Sequence, residues 1–223
     1  MWLAIGINHE SNNLAVKVAV FGANGKTGRR LVSQALDRDH EVVGFDIGFG
    51  EDFPSKAEKV LGDVHDEGKV EEAVRGADAV VLALGVARRS GKDVVSAGVE
   101  NIRKAMGESG VSRLVVLTGA GATLESESET LGNRLVNLLL RFVMPGALED
   151  GRRMVRDIQG SELDWTVVRA PRLKDSNGDR NYTLGTDLRL GLRHSAARGD
   201  VAHCMLELAE NNDHLREMPF IRY

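Results

Sequence analysis

Residues 16–28 read VKVAVFGANGKTG, and the fold follows from this run. Val16, Val18, Val20 and Phe21 have the apolar pattern of a buried β-strand. The strand passes into Gly22-Ala23-Asn24-Gly25-Lys26-Thr27-Gly28 and then into RRLVSQAL, a helix-compatible stretch. A strand that ends in closely spaced glycines at a helix N-terminus is how a backbone comes close to a pyrophosphate. Gly22 permits the tight turn, Gly25 keeps a Cβ out of the phosphate space, and Gly28 lets helix and strand pack closely. The first-turn N–H groups of the helix have no intrahelical partner, and the helix dipole adds to their preference for an anion. The reading is dinucleotide binding.

The spacing is GxxGxxG rather than GxGxxG, and it is not the GxxxxGK[ST] of a P-loop nucleotidase. A flavodoxin-like chain whose glycines only make a turn is the competing reading, and the downstream order of elements argues against it. Apolar runs alternate with helical patterns along nearly the whole chain. Residues 41–45 (EVVGF) predict a second strand, 59–61 a short third, and 79–84 (AVVLAL) a strand buried on both faces. Residues 113–117 (RLVVL) and 165–168 (WTVV) predict the fifth and sixth, and 220–223 a last edge strand. Helices are expected over 70–74, over 94–106 with Val95, Val99, Ile102 and Met106 on one face, and over 200–210. The interval 119–151 is the least regular. It opens with GAGAT and the acidic ESESE, then spaces Leu131, Leu135, Leu138, Leu139 and Phe142 as a core helix. The loop before those leucines follows a strand C-terminus, where it can cover a nucleotide. A repeated βαβ succession gives an α/β fold, a doubly wound parallel sheet with helices on both faces.

The 223 residues suit one such domain, read as 16–223, with 1–15 as an N-terminal extension. A net charge of −4 gives no support to nucleic-acid or acidic-membrane partners. The opening MWLAIGI is too short to span a bilayer and lacks the basic flank of a signal peptide. One cysteine, Cys204, excludes an intrachain disulfide and fits a reducing cytoplasm; its neighbours Val201, Met205 and Leu208 place it in a helix core. The six histidines are scattered without paired spacing, so no metal site is expected, and Asp63-Val64-His65-Asp66-Glu67 reads as a solvated loop. No GxSxG is present to suggest a serine hydrolase.

The pieces VAVFGANGKTG, GDVHD, ADAVVLALG, NIRKAM, RLVVLTGAG and LDWTVVRAPRL, followed by RGDVA, occur in this order between residues 16 and 208. Together they resemble the atypical short-chain dehydrogenase/reductase proteins, in the NmrA-like and flavin reductase/biliverdin-IXβ reductase branch. The resemblance implies a Rossmann fold with a small C-terminal portion on the substrate side. It implies that Gly22, Asn24, Gly25, Lys26, Thr27 and Gly28 hold a pyrophosphate and that Asp63 and Val64 lie beside the adenine. It further places Leu84 and Gly85 at the ribose, Thr118 and Gly119 near the nicotinamide, and residues 170–173, Pro171 among them, over the carboxamide side. Each is a strand-end position, where a doubly wound sheet presents its ligand.

Asp46 ends the second strand. A carboxylate there accepts hydrogen bonds from the adenosine ribose hydroxyls and repels a 2′-phosphate; it is also able simply to cap the loop. Lys26 and Arg29 are the cations within reach of a 2′-phosphate, and on balance the residues favour NAD over NADP. The chain departs from the family in its chemistry. Neither Tyr182 nor Tyr223 has a lysine four residues later, so the Tyr-x-x-x-Lys proton donor is missing. Gly119 stands where a serine is common, and Gly151 where the flavin reductases carry a histidine, with Asp150 and Arg153 nearby. Thr118 is the hydroxyl left to orient a substrate carbonyl. The expectation is an NAD(P)-dependent oxidoreductase passing hydride to a flavin, quinone or small carbonyl. A dinucleotide-sensing regulator with a protein partner is the alternative that the missing pair favours. A sugar-nucleotide epimerase or dehydratase fits less well, because it needs that tyrosine and a larger C-terminal domain.

Overall fold

The computed structural model describes residues 15–84, 94–119, 145–188 and 194–223. The extension over 1–14, Gly85, and the leucine run with its acidic lead lie outside the described residues. The elements follow in the order β1 (Lys17–Phe21), α1 (Lys26–Leu36), β2 (Glu41–Asp46), β3 (Glu58–Leu61), α2 (Glu67–Val74), β4 (Ala79–Leu82), α3 (Val94–Ser109) and β5 (Arg113–Gly119). Then come α4 (Pro145–Gln159), β6 (Asp164–Ala170), β7 (Arg172–Lys174), β8 (Thr183–Gly185), β9 (Ser195–Ala197), α5 (Arg198–Glu210) and β10 (Phe220–Arg222).

Eight strands form one sheet in the order β3-β2-β1-β4-β5-β6-β10-β8, parallel except for β8. The order reverses between β1 and β4, the switch point at which open α/β sheets leave a crevice for a ligand. All four residues of β4 are buried, as a continuous apolar run at the sheet centre requires. One face is covered by α2, α3 and α4, which close over Phe21, Phe45, Leu114 and Val167. The other is covered by α1 and α5, with Leu31, Val32, Met205 and Leu206 against Val18, Val20 and Val115. Cys204 lies in this second layer, and burial pushes its thiol up to about 12. No described helix is long and apolar enough to cross a membrane.

Three expectations need correction. The predicted edge strand at the end of the sequence is not at the edge: β10 lies between β6 and β8. The apolar run over 79–84 leaves the sheet after Leu82, where Ala83 N–H still bonds Phe21 O at 2.9 Å and the backbone turns into the crevice. Part of the interval taken as irregular is the helix α4, which starts on Pro145, a residue preset for a first helical position. Its Met154, Val155 and Ile158 are buried against the sheet.

Arg113, at the start of β5, ties the layers together from inside. Its Nε and Nη2 donate to Leu208 O at 2.8 and 2.6 Å, and its Nη1 donates to Asp164 O at 2.7 Å. The end of α5, whose last carbonyls have no helical partner, is thereby capped by a cation from the sheet. Burial lowers the guanidinium pKa to about 10, which leaves it charged at neutral pH. Arg113→Met should cost about 1–3 kcal/mol by leaving these buried carbonyls unpaired. Urea denaturation checks it; a midpoint unchanged from the parent would show that the cap is dispensable.

Candidate dinucleotide site

The glycine loop is set by contacts that only hydrogen side chains allow. Gly22 has φ +77°, and a Cβ there would lie 2.9 Å from Ala83 O. A Cβ on Gly28 would lie 2.0 Å from Gly22 O, so α1 is pressed directly onto the end of β1. Gly22 and Ala23 both donate to Phe45 O, at 3.0 and 3.2 Å, which fixes the loop to β2. Gly25 is different: its Cβ would meet Gly22 O alone, at 3.1 Å, with open space on its other sides. It is also the N-cap of α1, where no side chain caps the helix and the first turn holds no acid. Asp66 caps α2 through Lys69 N–H, and Asp150 accepts from Ser96 N–H in the first turn of α3. α5 also lacks a side-chain cap, but its Gly199 N–H donates to Ser176 O at 3.0 Å and its first turn holds Asp200. An uncapped N-terminus beside a position open to a Cβ fits a pyrophosphate.

Side chains already surround this loop. Asp46 Oδ2 accepts from Asn24 N–H at 2.9 Å, so the carboxylate does cap the loop, while Oδ1 takes no hydrogen bond among the described residues. Asn24 Oδ1 accepts from Arg29 Nε and Nη2 at 3.0 and 2.8 Å, and the same guanidinium forks onto Asp52. The Asp52 hydrogen bond raises the Arg29 pKa, and the Arg29 bond lowers that of Asp52. Lys26 pairs with Asp175 at 2.6 Å, and Arg30 reaches the same carboxylate at 3.1 Å. Thr27 is buried, and its Oγ1 accepts from Arg198 Nη1 at 3.0 Å, which leaves the hydroxyl proton to be donated elsewhere. Asp52, Asp175 and Arg198 escaped the sequence reading. Only the RGD run pointed toward Arg198; the partners of Asp52 and Asp175 are remote along the chain.

At the far end of β3, Val64 is buried against Gly98, whose missing side chain leaves it room, and Asn101 Nδ2 donates to Val64 O at 2.9 Å. Asp63 Oδ1 accepts from His65 N–H at 3.0 Å, and the His65 contacts lower its pKa. Leu84 is partly buried against the core under α2 and α3. In β5, Leu114 and Val116 face the helices α2 to α4, so strand alternation puts Thr118 on that same face, paired in register with Arg169. Gly119 follows, exposed, with nothing within 4 Å of a Cβ. Pro171 joins β6 to β7 and is half-buried. Asp150 is buried at the N-terminus of α3, and Gly151 beside it has open space where a side chain would project. The structure thus brings the described ones among the predicted residues to the C-terminal ends of β1 to β6. An open depression lined by Arg103, Lys104, Val111, Ser112 and Leu163 lies at the opposite ends of β5 and β6 and contains none of them.

The two tyrosines are used elsewhere. Tyr223 donates to Asp200 Oδ2, and burial pushes its phenol up to about 12. Tyr182 contacts His203 Nδ1 at 2.9 Å beside Cys204, and burial raises its pKa above the ordinary range. Desolvation, with Arg38 second, lowers the pKa of His203.

A family described as NAD(P)H-binding matches residues 22–212, and the chain belongs to it. It is similar in fold to a Veillonella parvula short-chain dehydrogenase/reductase solved in complex with NADP, with TM-score 0.75 and 16% identity over 93% of this chain and 94% of that one. The Escherichia coli O157:H7 protein ChuY, described as an anaerobillin reductase, aligns with TM-score 0.73 and 20% identity over 92% of this chain and 96% of that one. Among sequences, an uncharacterised protein of Mycobacterium tuberculosis is 37% identical over 106 residues, which is 48% of this chain and only 12% of that protein's length. The uncharacterised YwnB of Bacillus subtilis is 27% identical over 177 residues, 77% of this chain and 80% of its own. The fold is therefore a Rossmann-type one, in a chain of the NAD(P)H-binding family.

Two outcomes are expected. Gly25→Val should keep the fold, since one carbonyl at 3.1 Å is the sole neighbour of the new Cβ, and should abolish stabilisation by NAD and NADP in a thermal-shift titration. A variant stabilised as strongly as the parent would remove the loop from the site. His203 has a lowered pKa, so the folded state holds it neutral while the unfolded chain binds a proton below about pH 6.5. Stability should therefore fall as pH drops below that value, and His203→Gln should flatten the decline. Equal slopes in melting temperature against pH would contradict this.

Proposed function

We propose that the chain is an oxidoreductase that binds NAD in preference to NADP and passes hydride between it and a small acceptor. The observation that carries the reading is the uncapped N-terminus of α1, pressed onto β1 at the switch point of the sheet in a chain of the NAD(P)H-binding family. Gly22, Asn24, Gly25, Lys26, Thr27 and Gly28 would hold the pyrophosphate, Asp63 and Val64 the adenine, and Leu84 with Gly85 the ribose. Asp46, with one oxygen outside any described hydrogen bond, would accept from the adenosine ribose hydroxyls. Thr118, Gly119 and Pro171 would line the nicotinamide end. When bound, the nicotinamide supplies or accepts the hydride.

The chain's own part in the chemistry is positioning. Thr118 offers one hydroxyl on the face covered by α3 and α4, while Tyr182 and Tyr223 have phenols committed to His203 and Asp200. Without a placed acid, flavins and quinones suit the site better than simple carbonyls, since they accept hydride without a protein proton on one oxygen. A cytoplasmic setting, with a small-molecule substrate and neither nucleic acid nor membrane as partner, belongs to the same reading.

The test is NADH oxidation with flavins, quinones and aldehydes as acceptors. Flavins and quinones should turn over faster than aldehydes, because acid–base assistance worth ~10²–10⁴-fold is missing. Thr118→Val should lower turnover by no more than about a hundredfold if the hydroxyl only orients substrate. Rapid aldehyde reduction that collapsed in Tyr182→Phe would overturn the assignment. The commitment of both phenols also favours a second reading, an NmrA-like sensor that binds the dinucleotide and a protein partner without turnover. NAD binding with no oxidation of NADH by any acceptor would select it.

A further inference from the structure

The corner where the glycine loop meets the segment after β2 is built around Arg29. Of the five N–H donors of a guanidinium, four are used within the chain: two go to Asn24 Oδ1, at 3.0 and 2.8 Å, and two go to the oxygens of Asp52, one of them at 2.8 Å. Such a fork holds the planar cation in one orientation. The segment that carries Asp52 is itself fastened. Phe53 is buried against the α1 side of the sheet, lies in the space left by Gly44, and stacks edge-on with Phe49 at 4.6 Å. Gly50 N–H points to Asn24 Oδ1 at 3.4 Å, and a Cβ on Gly50 would lie 2.6 Å from Arg29 Nη2 and 2.7 Å from Asp52 Oδ1. Asp46 closes the other side through Asn24 N–H at 2.9 Å.

Two carboxylates, Asp46 and Asp52, flank the one guanidinium here, and the Lys59 amine lies 5.5 Å from the Phe53 ring centre. Arg29 is one of the two cations within reach of a 2′-phosphate, and four of its five donors are already engaged. We infer that Asp52 is a specificity-determining residue: by holding Arg29 it withholds the donors a 2′-phosphate needs, so exclusion of NADP rests on sequestration by Asp52 as well as on repulsion by Asp46. The inference rests on the dinucleotide reading above and refines it. Asp52 itself is largely exposed, so its replacement leaves the core untouched.

The experiment is fluorescence titration of the full chain with NADH and NADPH, for the parent, Asp52→Ala, and Asp52→Ala combined with Arg29→Met. The parent should bind NADH more tightly. Asp52→Ala should tighten NADPH binding about tenfold, the worth of a freed charge-assisted contact, while changing NADH binding less than about threefold. Adding Arg29→Met should cancel the gain, which ties it to the released guanidinium rather than to lost negative charge alone. An unchanged ratio of NADPH to NADH affinity in Asp52→Ala, or loss of both ligands there, overturns the role of Asp52 while NADH binding by the parent keeps the dinucleotide reading intact. A gain that survives Arg29→Met assigns the effect to charge and overturns sequestration. A parent that binds neither ligand overturns the dinucleotide reading itself.

Discussion

Everything at the C-terminal ends of the strands depends on how closely α1 meets β1. The 2.0 Å between Gly22 O and the place of a Gly28 Cβ means that the smallest possible side chain on residue 28 would push the helix off the strand. With hydrogen there, the helix begins almost on the sheet surface, so its first-turn N–H groups lie at the C-terminal end of β1. The φ of +77° at Gly22 serves the same end by reversing the chain within van der Waals distance of Ala83. Gly22 and Gly28 are thus demanded by packing, whereas a Cβ on Gly25 would meet Gly22 O alone, at 3.1 Å, and the position is exposed.

The charges around the loop form a second layer of this design. Lys26 and Arg30 share Asp175, Arg29 is forked between Asn24 and Asp52, and Arg198 leans on Thr27. The pairs to Asp52, Asp175 and Arg198 come from outside the glycine loop, so the loop is held from outside as well as by its own turns. The pair of Lys26 and Asp175 is exposed, and an exposed pair contributes little to stability. Its importance is local: it decides which cations around the glycine loop are already neutralised.

The parallel core was legible in the sequence for a plain physical reason. Strands buried on both faces must be continuous apolar runs, and β1, β2, β4, β5 and β6 have that form. Their ends then locate the crevice, so the residues proposed for the ligand could be named before their neighbours were known. What was not legible follows from weaker local signals. β7, β8 and β9 have three residues each, too few for an alternation to register. α4 carries two glycines and many charges in PGALEDGRRMVRDIQ, so its helical face emerges only from the burial of Met154, Val155 and Ile158. The pairing of Arg29 with Asp52 has no periodicity at all, since it depends on a loop folding back over the end of α1. The position of β10 was missed because sequence order says nothing about insertion between two earlier strands.

That insertion bears on how the chain is assembled. The segment leading into β10 satisfies backbone donors of β6, with Val167 N–H on Glu217 O at 3.0 Å and Arg169 N–H on Pro219 O at 2.9 Å, and Phe220 lies 3.6 Å beneath the Arg169 guanidinium. During translation, β6 and β8 are made well before this segment emerges. Until it arrives, β6 is a raw edge with unpaired amides, open to a neighbouring nascent chain, and β8 has nothing to pair with. Closure of this side of the sheet therefore waits on residues 214–222 rather than on the propensity of any strand.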